Sequence, residues 1–386
     1  MRSFRRLATT LAVALFAAAC SGSGTNDFDE LDLDDWAAVE LAAEGSTVNW
    51  WLFGGDDRIN SYIDDHVIPA AEALGITVNR TPINDTADAV NTVLTTVRAG
   101  EEVGDVDLIW INGENFANGV EAGLWREGWA TKLPNAALVD PDTVETDFGV
   151  PVEGRESPWS RALFVFAHDG ARLADPPRSF DELLRFAEAN PGRFTYPALP
   201  DFTGSAFVRQ VVAALGEDAA FDYLAELQPL LWEEGATFPA DEAELNELFA
   251  NGEVDIAMSY DPAFVQTAVA QGHFPETARP FVLDEGTLQN TSYVVMPATA
   301  PNPAAAMVLA NLLLDPNLQA IKADPEVLGV PTVLDLDRLD EEQRALFGTV
   351  TEAQYLLADY GQLVDELDAD QVEVIEQRWI DELRSS

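Results

Sequence analysis

Thr47-Val-Asn-Trp-Trp-Leu-Phe53 is a mostly apolar run that ends at Gly54-Gly55, and this stretch decides the fold. Its length and its β-branched and aromatic residues predict a buried strand followed by a tight turn. Ile59, Ile63 and Val67 then recur every four residues, which predicts a helix. A strand that is apolar on both faces and leads into a helix is typical of a parallel sheet covered by helices.

The same alternation continues along the chain. Ile76 to Ile83 and Val106 to Ile111 predict two more strands, with a helix between them. Further on, Ala162 to Ala167, Val254 to Tyr260 and Thr291 to Met296 predict strands separated by helical patterns. We therefore expect an α/β protein with two such units.

The first twenty residues predict export. Arg2, Arg5 and Arg6 precede an apolar run from Leu7 to Phe16 and three alanines before Cys20, which together are typical of a secretory signal. Because Cys20 is the only cysteine and follows small residues, the signal resembles that of a bacterial lipoprotein. We expect residues 1–19 to be removed and lipid to be attached to Cys20. The lipid would anchor the protein to the outer face of the cell membrane, which is in the periplasm if the source is diderm. An ordinary cleaved signal and an uncleaved anchor remain alternatives.

Composition limits the partners. The chain has 386 residues, is 47% hydrophobic and carries a formal charge of -47, so nucleic acid and anionic membrane surfaces would repel it. Residues 20–46 are small and acidic, which suits a tether between the lipid and the domain. We expect contact with the membrane through the lipid alone.

Several strings carry a resemblance to a known family. They are Trp51-Leu-Phe-Gly-Gly-Asp-Asp57, Asp107-Leu-Ile-Trp-Ile-Asn-Gly-Glu-Asn-Phe116, Asp147-Phe-Gly-Val-Pro-Val-Glu-Gly154, Ser157-Pro-Trp159, Phe194-Thr-Tyr-Pro197 and Asp201-Phe-Thr-Gly-Ser-Ala206. Over roughly residues 48–316 the chain resembles the YnjB-type branch of ABC-transporter solute-binding proteins. The resemblance implies a two-lobed type II periplasmic-binding fold, with two mainly parallel sheets flanked by helices and joined by hinge strands. It also implies a small-molecule solute and an ABC permease as partners.

The predicted boundaries follow from that architecture. Lobe one takes residues 46–163 and 294–386, and lobe two takes residues 164–293. The crossings between lobes are expected near Leu163–Phe166 and Tyr293–Val295. The docking of the final helices is left open, with lobe two as the alternative.

Candidate ligand-binding residues follow from the rule that ligands sit outside the carboxyl ends of the strands in open α/β sheets. In lobe one the candidates are Phe53, Gly54, Gly55, Asp56, Asn84, Asp85, Thr86, Asn112, Gly113, Glu114 and Asn115. From the second half they are Asp201, Thr203, Gly204, Ser205, Tyr260, Asp261, Asn290 and Tyr293. Turns and helix caps explain several of these equally well, above all Gly54-Gly55, Thr203-Gly-Ser205 and Asp261-Pro262.

Trp159 completes the candidate set as a platform under a flat or cationic solute, with core packing as the alternative. Trp50, Trp51 and Trp110 lie within predicted strands and are expected in the core. Aromatic and acidic candidates together favour an organic cation, such as a thiamine-like or polyamine-like solute.

Arginines near the candidate loops leave an anionic solute open. Arg155, Arg161 and Arg209 are the residues concerned. The sequence alone therefore does not decide the charge of the solute.

Signals for catalysis and metal binding are absent from the sequence. The three histidines are far apart, and no phosphate loop or nucleophile elbow occurs. Glu153 and Glu156 resemble a hydrolase carboxylate pair, but 68 acidic residues make chance proximity common. We expect a monomeric receptor without enzymatic activity, cofactor or metal. An exported hydrolase of envelope polymer and a bilobed partner of a membrane sensor are the alternatives.

Overall fold

The computed structural model describes Phe28 and residues 31–55, 57–83, 85–348, 355–357 and 359–384. The chain divides into two units, Met1–Leu31 and Asp32–Ser386, and every element named below lies in the second. Cys20 and the predicted signal lie outside the described residues, as do Asp56 and Asn84.

The described elements alternate between strand and helix through most of the chain. The strands are β1 (Thr47–Phe53), β2 (Thr77–Ile83), β3 (Leu108–Ile111), β4 (Thr146–Asp147), β5 (Val150–Pro151), β6 (Glu156–Leu163), β7 (Val165–Asp169), β8 (Ile256–Ser259), β9 (Ala278–Phe281), β10 (Thr287–Val295) and β11 (Leu363–Asp365). The helices are α1 (Trp36–Ala43), α2 (Asp57–Tyr62), α3 (Ile68–Ala73), α4 (Thr86–Ala99), α5 (Gly113–Glu121), α6 (Phe180–Ala189), α7 (Phe202–Leu215), α8 (Glu217–Leu227), α9 (Glu242–Asn251), α10 (Phe264–Ala270), α11 (Pro303–Leu313), α12 (Pro316–Ala323), α13 (Glu341–Leu346) and α14 (Ala369–Glu382). A π-helical turn, Ile63–Val67, joins α2 to α3.

The first lobe is built on a six-stranded mixed sheet. Its strand order is β11-β10-β3-β1-β2, with β6 on the other side of β10. β1 runs parallel to both β2 and β3, as the apolar run Thr47–Phe53 predicted. β10 pairs antiparallel with β3 and β6. The α/β class predicted from the sequence is confirmed.

The second lobe is built on a three-stranded sheet, order β8-β7-β9, in which β7 pairs antiparallel with both neighbours. The expectation of a second mainly parallel sheet is therefore wrong for these strands. Every residue of β7 is buried, so its sequence looks like that of a parallel strand. An apolar run reports burial on both faces and does not fix the direction of the neighbouring strand.

The chain crosses between the sheets twice. It leaves β6 at Leu163 and enters β7 at Val165, close to the predicted first crossing. The return lies between β9 and β10, whereas Tyr293–Val295 pair with β3 inside the six-stranded sheet. The second crossing at Tyr293–Val295 stays a prediction: all of β10 pairs within the six-stranded sheet, while its early residue Leu288 packs in the core that contains β7 and β8.

The last helix, α14, packs on the second lobe. Ile375, Trp379 and Leu383 belong to the core that contains β7 and β8, and the Trp379 indole donates to the Tyr196 hydroxyl at 3.0 Å. Val372, one turn earlier, packs against a small cluster with Phe148. The C-terminal segment therefore contacts both lobes, which the sequence had left open.

The fold begins earlier than predicted. Helix α1 lies inside the stretch assigned to the tether, and its N-cap Asp35 accepts from the backbone of Ala38. Val39 and Ala43 are buried and α1 packs on α11, so this helix is part of the folded domain.

None of the described helices meets, alone, the length and hydropathy of a membrane span. Helices α11 and α12 meet the length and hydropathy of a membrane span only when they are taken together, and the chain bends by 54° between them. Most of α11 is buried in the first lobe, which accounts for its apolar composition.

We predict that Trp379→Ala lowers the free energy of unfolding by about 3–5 kcal/mol, because it empties a fully buried site on α14. Chemical denaturation measures the change. Val374→Ala is the matched control on the same helix, since Val374 is 57% exposed, and its effect should stay within about 0.5 kcal/mol. Equal, small effects of both substitutions would contradict the docking of α14 on the second lobe.

Candidate functional site

A cleft between the two sheets holds a cavity of about 580 Å³. The cavity is lined from the first lobe by the ends of β1 and β3, and from the second by the starts of α7 and α9 and the end of β8. The paired strands β6 and β10 form its floor, which is lined by Ser160, Arg161, Ala162, Asn290 and Ser292. Since both lobes contribute, the cavity depends on how they meet.

The first-lobe wall is aromatic. Phe53 ends β1 and is 42% exposed, and Trp110 lies on the neighbouring strand β3. Their rings meet edge to face with centroids 6.5 Å apart. This pair offers ring surface to a ligand while each ring supports the other.

The facing wall on the second lobe is aromatic too. Phe202 at the start of α7 is 48% exposed, and its ring centroid lies 5.3 Å from that of Tyr260. The Tyr260 hydroxyl donates to Glu366 at 2.7 Å, so its ring rather than its hydroxyl is available to the cleft. Arg209 lies over the Phe202 ring, 5.3 Å from the centroid, and fixes it from behind.

Three carboxylates cluster beside these rings. Asp201 accepts from the backbone of Thr203 and caps α7, and the Thr203 hydroxyl donates to Glu242 at 2.5 Å. Asp261 accepts from the backbone N–H of Ala263 at 2.8 Å. The second-lobe end of the cavity is therefore acidic and held in place by the helix starts.

Burial and mutual repulsion disfavour charge on Glu242, and burial disfavours charge on Asp201. Burial raises the pKa of Glu242 to about 7, with bonds from Thr203 and Ser259 opposing it and Asp261 and Asp201 adding to it. Burial also raises the pKa of Asp201. A cation placed among them would restore the ionised forms.

The arginines of the cleft are already engaged. Arg161 is paired with Asp140. Arg58 donates twice to the Val327 carbonyl, at 2.7 and 3.1 Å, and also to the Thr267 hydroxyl. An incoming anion would have to compete with these partners.

Arg58 also links the lobes. It belongs to α2 of the first lobe, whereas Thr267 lies on α10 of the second. Gln266, beside Thr267, donates to the Pro325 carbonyl in the segment that follows α12. These bonds join the two lobes beside the cavity, which Arg58 also lines.

The structure brings together eight of the predicted candidates. Those that line the cavity are Phe53, Gly55, Asn112, Asp201, Thr203, Tyr260, Asp261 and Asn290. Those described elsewhere are Gly54, Asp85, Thr86, Gly113, Glu114, Asn115, Trp159, Gly204, Ser205 and Tyr293.

The platform role of Trp159 is wrong in this structure. Trp159 is 1% exposed, with Trp50 and Trp110 edge-on to it at 5.9 and 4.8 Å. Its neighbours on β6, Ser160 and Ala162, line the cavity instead. Trp110, which was expected in the core, is the tryptophan of the cleft wall, because β3 ends at the cavity.

Ser205 and Gly204 serve packing rather than the cavity. Ser205 is 1% exposed and its hydroxyl donates to Glu376 on α14 at 2.5 Å. A Cβ on Gly204 would lie 2.1 Å from the Pro197 carbonyl oxygen, so glycine permits a close backbone approach there. Ser205 therefore has a hydrogen-bonding role and Gly204 a steric one, and neither residue lines the cavity.

Asp85 and Tyr293 likewise have structural partners. Asp85 accepts from the backbone of Ala87 at 2.9 Å and caps α4. Tyr293 is 2% exposed, and its hydroxyl donates to the Thr143 carbonyl at 2.9 Å. Asp85 is exposed, whereas the Tyr293 side chain is buried in the first lobe.

The three arginines considered from the sequence lie in different places and have different partners. Arg155 donates to two exposed glutamates outside the cavity. Arg209 is 2% exposed and forms a 2.8 Å ion pair with Glu366, itself 4% exposed. Of these three arginines only Arg161 lines the cavity, and it is paired with Asp140.

Sequence reasoning missed Glu242, Arg58 and Phe202, each of which lies just inside the start of a helix. Helix starts that follow candidate loops could have drawn attention to them. Among the described residues, no group of three or more His, Cys, Asp or Glu side chains is placed to hold a metal ion.

Comparison with known proteins places the chain among transport receptors. The family model of the bacterial extracellular solute-binding protein matches residues 69–337. Protein YnjB of Escherichia coli (strain K12) is 38% identical over 366 residues, which cover 90% of this chain and 93% of that protein.

Solved structures share the fold. An ABC transporter substrate-binding protein from Bradyrhizobium japonicum has a TM-score of 0.65 at 19% identity, over 87% of this chain and 99% of its own. The spermidine/putrescine ABC transporter substrate-binding protein PotD from Streptococcus pneumoniae has a TM-score of 0.62 at 14% identity, over 87% and 98%.

The raised pKa of Glu242 predicts a pH-dependent stability. Folding keeps this carboxyl protonated up to about pH 7, whereas the unfolded chain ionises it near its usual value. Its contribution is therefore present at pH 4 and is lost as the pH rises through 7. We expect Glu242→Gln, which can still accept from Thr203, to match the parent at pH 4 and to exceed its Tm by ~2 °C or more at pH 8.

Glu247→Gln is the matched control, because Glu247 is exposed on the same helix. Its difference from the parent should be the same at both pH values. Thermal unfolding across the pH series makes the comparison, and a Glu242→Gln difference that does not grow with pH would contradict the burial argument.

Proposed function

This chain belongs to the family of bacterial extracellular solute-binding proteins, and on that premise we propose that its solute is an organic cation with an apolar body. Members of the family are extracytoplasmic receptors that deliver small solutes to ABC permeases, and this chain is one of them. The cation is captured between the lobes and released unchanged, so no bond is made or broken.

The observation that supports a cation is the pairing of ring faces with carboxylates in one cavity. Phe53 and Trp110 face Phe202 and Tyr260 across the cleft, and the acidic end with Glu242 lies beside the second pair. Aromatic faces attract cations, and the attraction grows when water is displaced. The arginines of the cavity are engaged by protein partners, so an anionic solute would have to compete with those partners.

Closure of the lobes is favoured by solute contacts that only the two lobes together can make. A solute that touches both aromatic walls gains those contacts only when the lobes meet, so it shifts the population toward the closed form. The hydrogen bonds from Arg58 to Thr267 and from Gln266 to Pro325 also stabilise the closed form. The permease would recognise the closed receptor and open it.

Lipid on Cys20 completes the proposal. The signal pattern of residues 1–20 supports it, as does the short acidic stretch that precedes α1. A protein with a formal charge of -47 is repelled by anionic lipid, so a covalent anchor would hold it at the surface.

We predict that at least one of putrescine, spermidine, thiamine and choline raises the Tm saturably and binds in a 1:1 ratio. Trp110→Ala should weaken that binding about tenfold, because it removes half of one aromatic wall. Isothermal calorimetry measures the affinity, with Leu215→Ala, 36% exposed at the far end of α7, as the control.

Succinate and glucose 6-phosphate test the opposite charge. If these anions bind saturably while the cations do not, the proposed ligand class is wrong. Recovery of chemically altered ligand after binding would instead contradict the assignment as a receptor without catalysis.

We predict that Cys20→Ser abolishes incorporation of radiolabelled palmitate and moves the protein from the membrane fraction to the soluble exported fraction. Ser21→Ala, next to it, is the control and should leave both unchanged. A labelled, membrane-bound Cys20→Ser protein would rule out the anchor on this residue.

A further inference from the structure

The charged residues that line the cleft are divided between its two lobes. Among the described lining residues the acids are Asp201, Glu242 and Asp261, and all three belong to the second lobe. The arginines are Arg58 and Arg161, and both belong to the first lobe. These acids therefore meet a solute from one side of the cleft only.

The three acids form one cluster rather than three separate sites. The Thr203 hydroxyl donates to Glu242 at 2.5 Å, and the Thr203 backbone N–H donates to Asp201 at 3.0 Å. The Ser259 hydroxyl also bonds to Glu242, and it accepts from the backbone N–H of Asp261 at 3.1 Å. Because the charges of Asp201 and Asp261 disfavour a charge on Glu242, a single cation placed here relieves all three.

The first-lobe wall offers rings and an amide instead. Phe53 and Trp110 supply the rings, and Asn112 follows β3 as the N-cap of α5, although its side chain makes no capping hydrogen bond. In the described part of this wall no carboxylate lines the cleft, whereas Arg58 and Arg161 do. An ammonium group placed here would lose its water without gaining a carboxylate partner, which is costly.

The floor between the walls also lacks a carboxylate among its described residues. Ser160, Asn290 and Ser292 line it with hydroxyl and amide groups. Asp140, which pairs with Arg161 of the floor, does not itself line the cleft. A cationic head thus finds the described carboxylates at the second-lobe wall alone.

We propose, on the basis of the proposed function, that the solute carries one cationic head, bound at the acid cluster of the second lobe, and a neutral body, packed against Phe53 and Trp110 of the first. A dication long enough to span the cleft would leave its second ammonium group among rings and arginines. The receptor therefore selects monocations over polyamines. This selectivity depends as much on what the first-lobe wall lacks as on what the acid cluster provides.

The test is isothermal calorimetry of the purified protein at pH 7 with three compounds that share one ring. They are 4-methylbenzylamine, the diamine 1,4-bis(aminomethyl)benzene and the zwitterion 4-(aminomethyl)benzoate. We expect the monoamine to bind in a 1:1 ratio and at least tenfold more tightly than either of the others. Since all three carry the same ammonium group at one end, the differences in affinity report on the environment of the other end.

Asn112→Asp tests the first-lobe wall directly. It places a carboxylate at the end of β3 with almost no change in side-chain size, so the affinity for the diamine relative to the monoamine should rise at least tenfold. Asn118→Asp is the matched control, because Asn118 is exposed on α5, does not line the cleft and gives the same change in net charge. The control should leave the ratio of the two affinities unchanged.

Three results would overturn the single-headed solute while leaving its cationic class intact. They are equal or tighter binding of the diamine by the parent, tighter binding of the zwitterion than of the monoamine, and an unchanged affinity ratio in Asn112→Asp. Failure of all three compounds to bind would overturn it as well. The screen with putrescine, spermidine, thiamine and choline then decides separately whether the cationic class stands.

Discussion

The antiparallel pairing of β6 with β10 is the constraint on which the rest of the molecule depends. Both strands are long, and they are bonded over Glu156–Leu163 and Gln289–Val295. They carry the chain toward and away from the second lobe, and residues of both strands form the floor of the cleft. Because successive side chains of a strand point to opposite faces of the sheet, this pairing also places the floor of the cleft on one face of the first-lobe sheet.

A buried ionic cluster then fixes the second-lobe wall. Arg209 pairs with Glu366 and donates to Ser205, while Tyr260 donates to the same glutamate. Breaking one member would leave a buried charge without its partner, which is costly. The C-terminal segment that supplies Glu366 thereby supports the aromatic wall at Phe202, although it lies far from that wall in sequence.

The charged groups of the cleft, unlike the overall composition, support one sign of solute charge. A strongly acidic chain can be acidic everywhere for solubility, and its net charge alone says little about its ligand. In the cavity, however, both arginines have protein partners, whereas Glu242 and its neighbours repel one another. Local pairing, rather than overall charge, therefore supports a cationic solute.

The sequence by itself determined the α/β class, the strands that begin with Thr47–Phe53, and the strand-end loops where about half of the described candidates meet. Those features follow from local periodicity and from the rule for the carboxyl ends of strands. Only the tertiary structure decided the rest. Whether Trp110 or Trp159 faces the cleft depends on which strand ends there, and the direction of β8 and β9 depends on partners rather than on apolar runs. The docking of α14 and the pairing of Arg209 with Glu366 join residues more than 150 positions apart, and no local pattern encodes such a contact.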